Sequence, residues 1–273
     1  GNPDELHSNV ASRIYNWTFD NTAPTMTITA ADAASGGNAL TSGDLTNSAA
    51  AIYLTFTSNE DTTDFESSDI TIANGGSIGS SFAGSGKVYT ATFAPAGGDN
   101  TNNEISVAGS TFTDAAGNNN SASNTFSWIV DTVSPTPSGN ITTSNSNSSW
   151  AKVGDQITVS VSTPNDTDIA SVTITLASTG GTITTGSATE SSGTWSIVHT
   201  MTSSDPEGTI SAAFTATDQA GNTGSSSYSS SIVFDKTKPT GAITYSTDGP
   251  YKQNANPTIT ATFTESLTTT PKI

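Results

Sequence analysis

Three stretches of the chain repeat one pattern. They are Trp17-Thr-Phe-Asp20-Asn-Thr-Ala-Pro24-Thr25, Trp128-Ile-Val-Asp131-Thr-Val-Ser-Pro135-Thr136 and Ile232-Val-Phe-Asp235-Lys-Thr-Lys-Pro239-Thr240. Each is an apolar strand end, then Asp, three residues, Pro and Thr. Asp20, Asp131 and Asp235 stand 111 and 104 residues apart. A second motif recurs inside the intervals, as Thr113-Asp114-Ala-Ala-Gly117-Asn118 and Thr217-Asp218-Gln-Ala-Gly221-Asn222. Each of these Asp residues precedes the next boundary Asp by 17 residues. Repetition at a fixed period means one structural unit used more than once. The units expected are 21–131 and 132–235. Residues 1–20 read as the closing strand of a preceding unit, and 236–273 as the opening strands of a following, incomplete one. The chain therefore reads as an excerpt of a longer protein.

Within each unit the apolar residues alternate. Ile52, Leu54 and Phe56 do so, as do Tyr89, Ala91 and Phe93, and Phe126, Trp128 and Val130. In the second unit the sets are Ile157, Val159 and Val161, then Val172, Ile174 and Leu176, then Ile210, Ala212, Phe214 and Ala216. Period 2 marks strands with one buried face, and two such sheets must stack to close. Strands are expected near 25–30, 51–58, 69–74, 77–83, 87–94, 104–109 and 123–130. In the second unit they are expected near 139–143, 155–162, 170–177, 181–187, 193–201, 208–217 and 226–234. About seven strands in a unit of this size suit an Ig-like sandwich. The fold class is all-β, a tandem array of Ig-like β-sandwich domains. Trp17 and Trp128 share one slot and read as core anchors. Trp150 and Trp195 have no counterpart in the other unit and are more open to a specific role.

Composition agrees and excludes alternatives. Of 273 residues, 50 are Thr and 42 are Ser, while Leu occurs six times. Small hydroxyl and β-branched residues in that excess disfavour helices. Cysteine is absent, so neither a disulfide scaffold nor a Cys-ligated metal site exists. The net charge of −17, from 7 Lys plus Arg against 24 Asp plus Glu, excludes a nucleic-acid partner, because phosphates demand clustered cations. No apolar run approaches a membrane span.

The run Phe112-Thr-Asp114-Ala-Ala-Gly-Asn118 through Trp128-Ile-Val-Asp131-Thr-Val-Ser-Pro135-Thr136 resembles the bacterial Ig-like repeats of very large surface adhesins and biofilm-associated proteins. So do Leu54-Thr-Phe56, Asp69-Ile-Thr-Ile and Tyr89-Thr-Ala-Thr-Phe93. Tyr245-Ser-Thr-Asp-Gly-Pro-Tyr251-Lys and Ile259-Thr-Ala-Thr-Phe-Thr-Glu265 resemble Ig-like repeats of archaeal surface-layer proteins. The resemblance implies an extracellular, cell-surface location. It also implies a structural role, in a surface-layer subunit or an adhesin stalk. The implied partners are copies of the chain itself or neighbouring Ig-like units. The alternative is a module that binds a carbohydrate or a host protein at a cell surface.

Metal binding is the chemistry the residues favour. A hard cation wants six to eight oxygen ligands. Asp114, Asn118 and the boundary Asp131 fall in loops at strand ends, and Glu60 or Asp61 can join them. Asp166 or Asp168 would supply that carboxylate in the second unit, beside Asp218, Asn222 and Asp235, and Glu265 in the last. Asp20 is the first boundary Asp. The resemblance implies Ca²⁺ at such junctions. The competing reading makes Asp114 and Asp218 turn-formers, with Gly117 and Gly221 supplying positive φ.

Catalysis fails on inventory. A nucleophile–base site would have to use His7 or His199, and no nucleophile-elbow motif exists. No enzyme is expected. Asn-X-Ser/Thr sequons stand at Asn16, Asn119, Asn140, Asn147 and Asn165. Asn140, Asn147 and Asn165 are the glycosylation candidates, in or beside loops.

Overall fold

The computed structural model describes residues 18–35, 37–246, 249–250, 252–253, 255–267 and 271. Trp17, His7 and the Asn16 sequon lie outside them. Two compact units are present. The first comprises residues up to Ser134 together with Gln219–Asn222, and the second Pro135–Asp218 with the residues from Thr223 on.

The strands of the first unit are β1 (Met26–Ala31), β2 (Ala39–Leu40), β3 (Leu45–Thr46), β4 (Ile52–Thr62), β5 (Ile70–Ala73), β6 (Ser77–Ile78), β7 (Ala83–Ala94), β8 (Thr101–Val107) and β9 (Phe126–Val130). One sheet runs β2-β1-β4-β7-β6 and the other β3-β9-β8-β5. Their inner faces share one core that includes Leu54, Phe56, Phe93, Ile105, Trp128 and Val130. Alternation produces it: on β4, Ile52, Leu54 and Phe56 are buried while the residues between them are only partly so. Trp128 packs edge-on against Phe93, with ring centroids 5.2 Å apart, and is a core anchor as expected. The segment between β1 and β4 changes sheets. Its first part pairs with β1 through Ala30↔Leu40, and its second runs parallel to β9 through Leu45↔Ile129.

Strands β10 (Ser138–Thr143), β11 (Trp150–Ala151), β12 (Gln156–Ser162), β13 (Ile169–Ser178), β14 (Gly181–Ser187), β15 (Thr189–Ser191), β16 (Thr194–Thr200), β17 (Gly208–Asp218) and β18 (Thr223–Phe234) build the second sandwich. Its sheets run β10-β12-β16-β15 and β11-β18-β17-β13-β14. Val159, Ile174, Leu176, Phe214 and Phe234 are in its core. Ile232, in the slot that Trp128 fills in the first unit, is buried there too. Beyond it, β19 (Gly241–Tyr245) and β20 (Ile259–Phe263) pair as a two-stranded ribbon.

Two sequence expectations are corrected. The strand expected over 77–83 is only Ser77–Ile78, and Ala83 already begins β7. The two-residue edge strands β2, β3 and β11 were not anticipated, because two residues cannot display a period. The fold class stands: residues are almost wholly in strands and turns, in paired sheets. Among the described residues no helix is long and apolar enough to cross a membrane.

Candidate metal centre

The inward phase of β4 does not stop at the hydrophobic core. Ile52, Leu54 and Phe56 are followed on the same face by Ser58, Glu60 and Thr62, because side chains two apart share a face. The pairing of β4 with β7 shifts register between Thr57 and Thr62, so 58–61 bulge away from the ladder. Glu60 is thereby lifted to the pole of the sandwich. Thr62 re-joins the structure, bridging to Asp114 and meeting the Tyr89 hydroxyl at 2.9 Å. Below it lies an aromatic floor. Phe65 packs against Phe56, Tyr89 and Phe112 at centroid distances of 5.6, 5.0 and 5.1 Å.

The loop from 108 to 125 is knitted by Asn120, which is 3% exposed. Its Oδ1 accepts from the N–H groups of Thr111 and Phe112, and its Nδ2 donates to the carbonyls of Ala108 and Ser121. On that scaffold Asp114 is buried at 4% exposure and closes an Asx-type turn. Its Oδ1 accepts from Ala116 N and Asn118 N, each at 2.8 Å, with Gly117 at φ 90°. Its Oδ2 accepts from Asn118 Nδ2 at 2.8 Å. The Asn118 amide, with the backbone N–H groups after it, holds the Asp114 carboxyl below the usual range. Asn118 Nδ2 also donates to the backbone carbonyl of Asp20 at 3.2 Å, which brings the boundary segment to the pole.

Asp20, Glu60 and Asp114 each place a carboxylate oxygen within 4.8 Å of the others. Glu60 Oε1 is buried and has no hydrogen-bond partner. Burial, then the charges of Asp20 and Asp114, push the Glu60 carboxyl up. Oxygens about a bound Ca²⁺, at roughly 2.3–2.6 Å from it, lie up to about 5 Å apart, so this donor set fits a hard cation in type and in span.

The structure thus groups the predicted residues differently from the sequence. The boundary Asp that meets the Asp114 turn is Asp20, ahead of the unit, and not Asp131 at its end. The stretch from Asp114 to Asp131 contains β9, which carries the chain roughly 17 Å away at about 3.3 Å per residue. Asp131 instead bonds through its backbone N–H to the Thr46 carbonyl, and its Oδ1 accepts from Val133 N. Its carbonyl accepts from Nδ2 of Asn222, on the 219–222 turn that belongs to the first unit, at 2.9 Å. Asp61 is exposed on the opposite phase of β4 from Glu60. Asn118 enters as the donor that orients Asp114 and Asp20. Sequence reasoning missed Asn120; its only signal was being the third of three consecutive Asn residues.

The second unit has its own acidic pole. Asp166 is 6% exposed and Asp218 2% exposed. Asp166 Oδ1 accepts from Asp168 N at 3.2 Å, and its Oδ2 is buried without a partner. Burial, with Asp168 and Asp218 adding, pushes the Asp166 carboxyl up to about 7. Asp235 bonds its own Thr237 N–H at 2.9 Å and lines a cleft with Glu207 and Glu265. His199, on β16, contacts Asp205 Oδ2 at 2.9 Å, and that carboxylate also takes the Thr202 N–H and hydroxyl. Of the sequons, Asn147 and Asn165 are exposed in turns, and Asn140 is exposed but within β10. The Asn165 Oδ1 accepts from Thr136 N at 3.0 Å.

Residues 20–130 match the family model of the bacterial Ig-like domain. No curated protein matches. Among solved structures, a tetra-tandem repeat from the extending region of a large adhesion protein is 21% identical, over 82% of this chain and 53% of that one, with a TM-score of 0.32. The C-terminal domain of the Streptococcus agalactiae AgI/II polypeptide BspA is 12% identical, over 77% and 99%, with a TM-score of 0.30. The ICAM-5 D1–D4 ectodomain fragment is 11% identical, over 80% and 54%, with a TM-score of 0.39. An engineered protein is 23% identical over 39% of this chain and 22% of its own, so the chain spans a minor part of that structure and about half of the ICAM-5 fragment.

Proposed function

We propose that this chain is a structural segment of a large extracellular cell-surface protein, an adhesin stalk or a surface-layer subunit, whose sandwich poles take Ca²⁺. The observation that carries the metal reading is the approach of Asp20, Glu60 and Asp114 within 4.8 Å, with a buried, unpartnered Glu60 oxygen among them. Three carboxylates so placed repel one another, and a divalent cation removes that repulsion. The array reading rests on the recurrence of the boundary and Asp-Ala-Gly-Asn patterns, since units joined end to end give reach. The acidic, cysteine-free composition suits a secreted surface chain, and exposed Asn147 and Asn165 suit glycan attachment there. Neighbouring Ig-like units or copies of the chain are its partners in this reading. Antibody raised to the folded chain and applied to intact cells tests location: surface labelling supports it, and labelling only after permeabilisation overturns it. Calorimetry of the chain in millimolar Ca²⁺ and in chelator tests the metal, with identical traces excluding it.

A further inference from the structure

The two sandwiches differ at one corner of their inner faces. In the first unit Phe56 on β4 pairs with Tyr89 on β7, and in the second Val161 on β12 pairs with Trp195 on β16. Phe56 follows Ile52 and Leu54, and Val161 follows Ile157 and Val159, as the third buried apolar residue of its strand. Residues directly opposite one another share a face, so Tyr89 and Trp195 both point inward at matching places. Tyr89 is covered there. Phe65 packs edge-on to it at 5.0 Å and Phe82 stacks on it at 5.9 Å, which leaves it 5% exposed. Trp195 packs against the second core but is only partly buried. Where the first unit has two Phe rings, the second has a cleft of about 490 Å³ with Trp195 in its lining. That volume is within the range of ligand pockets.

Pro164, Ile169 and Trp195 make the cleft apolar, Asp166 and Glu190 make it negative, and no Lys, Arg or His lines it. Asp166 is largely buried, so the exposed Glu190 is the carboxylate a ligand would meet. Glu190 lies directly opposite Trp195, on the edge strand β15, and therefore on the same inner face. Strands β15 and β16 are joined by Ser192-Gly193, with φ of 52° and 77°, the tight hairpin form that sets register. Gly193 N donates to Glu190 Oε1 at 2.6 Å, which pins the carboxylate at the hairpin. An inward charge on an edge strand guards against strand pairing, but that role needs neither the cleft nor the indole beside it. An indole next to a pinned carboxylate, with no cation competing, attracts a positive ligand. A primary ammonium brings three donors that each want an acceptor. Here Glu190 Oε1 is already engaged, and the Thr163 hydroxyl donates to the Asp166 carbonyl at 3.2 Å. Methyl groups on the nitrogen need no acceptors and suit Pro164 and Ile169.

We propose that this cleft binds a small, soluble quaternary ammonium ion, which the Trp195 indole and the Glu190 carboxylate hold. Choline is the probe, and 3,3-dimethylbutan-1-ol is its uncharged isostere. In the full chain, labelled with ¹⁵N and kept in chelator, choline should shift the Trp195 indole and Gly193 amide resonances saturably. The alcohol should bind about fivefold more weakly, because it lacks the charge that the indole attracts. Glu190→Gln keeps an acceptor for Gly193 and removes the charge. It should weaken choline about threefold, as an exposed ion pair allows, and leave the alcohol unchanged. Trp195→Leu, read at Gly193, should weaken choline about fivefold. Thr167→Phe puts a ring into the cleft, as Phe65 and Phe82 do in the first unit, and should exclude both probes. It carries the test if Trp195→Leu fails to fold. Equal affinity for choline and the alcohol, or two resonances that choline does not move, overturns the proposal. A stronger response to methyl glucoside than to choline makes the cleft a sugar platform and overturns it as well.

Discussion

Asn118 holds both oxygens of the Asp114 carboxylate, with its backbone N–H on Oδ1 and its side-chain amide on Oδ2, each at 2.8 Å. The Asp-Ala-Ala-Gly-Asn sequence therefore closes on itself, and this explains the fixed spacing within the motif without a metal. Turn formation and metal binding are consequently not alternatives at Asp114. The Asn fixes the carboxylate in its ionised form at the pole and ties the Asp20 backbone to it, and Glu60 is the group whose presence there the turn alone does not explain.

That division gives a substitution that separates the two roles. Glu60 is pushed up by burial and by the charges of Asp20 and Asp114, so in chelator Glu60→Gln should leave the first unit as stable as before or slightly more so. It should also remove the response to Ca²⁺. In the unsubstituted chain that response is about 2.7 kcal/mol when free Ca²⁺ is 100-fold over its dissociation constant. Asp114→Ala should lower stability with or without Ca²⁺, because three donors lose their acceptor. Thermal melts of both variants in Ca²⁺ and in chelator read all four numbers. A Ca²⁺ increment that survives in Glu60→Gln rules this carboxylate out as a ligand.

Truncating Trp128 to Ala should destabilise the first unit by about 3–5 kcal/mol, the usual consequence of removing a large buried aromatic. Its 2% exposure and its contacts with Phe93 and Phe126 place it wholly in the core. Urea unfolding of the whole chain measures this, and a change below about 1 kcal/mol would mean that Trp128 is not a core anchor.

Alternation was enough to find the long strands: the buried sets on β4, β12, β13 and β17 are the ones the sequence shows. It could not find β3, whose two residues are placed by parallel pairing to β9, a tertiary fact with no local signal. The members of the acidic pole were legible as Asp20, Glu60 and Asp114, but their grouping was not. A constant offset between Asp114 and Asp131 suggests proximity, whereas an intervening strand means the reverse. Continuing the period-2 face of β4 from Phe56 through Ser58 to Glu60 would have picked Glu60 over Asp61.

The loop carrying Asp114 depends on Asn120 more than on its exposed neighbour Asn119. Asn120→Ala would leave the N–H groups of Thr111 and Phe112 and the Ala108 and Ser121 carbonyls short of a partner. Unsatisfied buried groups cost roughly 1–3 kcal/mol each, and water relieves the outer ones, so a loss of about 2–3 kcal/mol is expected for the first unit. Asn119→Ala should change stability by less than about 0.5 kcal/mol, as surface substitutions do. Denaturant midpoints of the two variants compare them directly. Equal midpoints would mean that the loop is not held by the Asn120 amide.

The last expectation concerns pH and the second unit. Asp166 sits at about 7 in the folded chain, through burial first and then Asp168 and Asp218, against about 3.9 for an unfolded Asp. The folded state thus binds this proton more tightly than the unfolded state does. Its contribution to stability is fully present below about pH 4 and is lost as pH rises through 7. In chelator, the second unit should therefore lose stability between pH 5 and pH 8. Asp166→Asn, which keeps the shape and cannot ionise, should flatten that loss. Asp114, Asp205 and Glu207 shift the other way, so their contributions fall away at the acid end. Glu60 and Asp69, raised like Asp166, belong to the first unit, so the comparison is read on the second unit's transition against Asp166→Asn. A cation near Asp166 and Asp218 would take the place of the proton, and Ca²⁺ added at pH 8 should recover part of the stability in the unsubstituted chain but not in Asp166→Asn. Melts at pH 5, 6.5 and 8, with and without chelator, check each limb. A profile that is flat in both proteins, or equally sloped in both, would remove Asp166 as the titrating group.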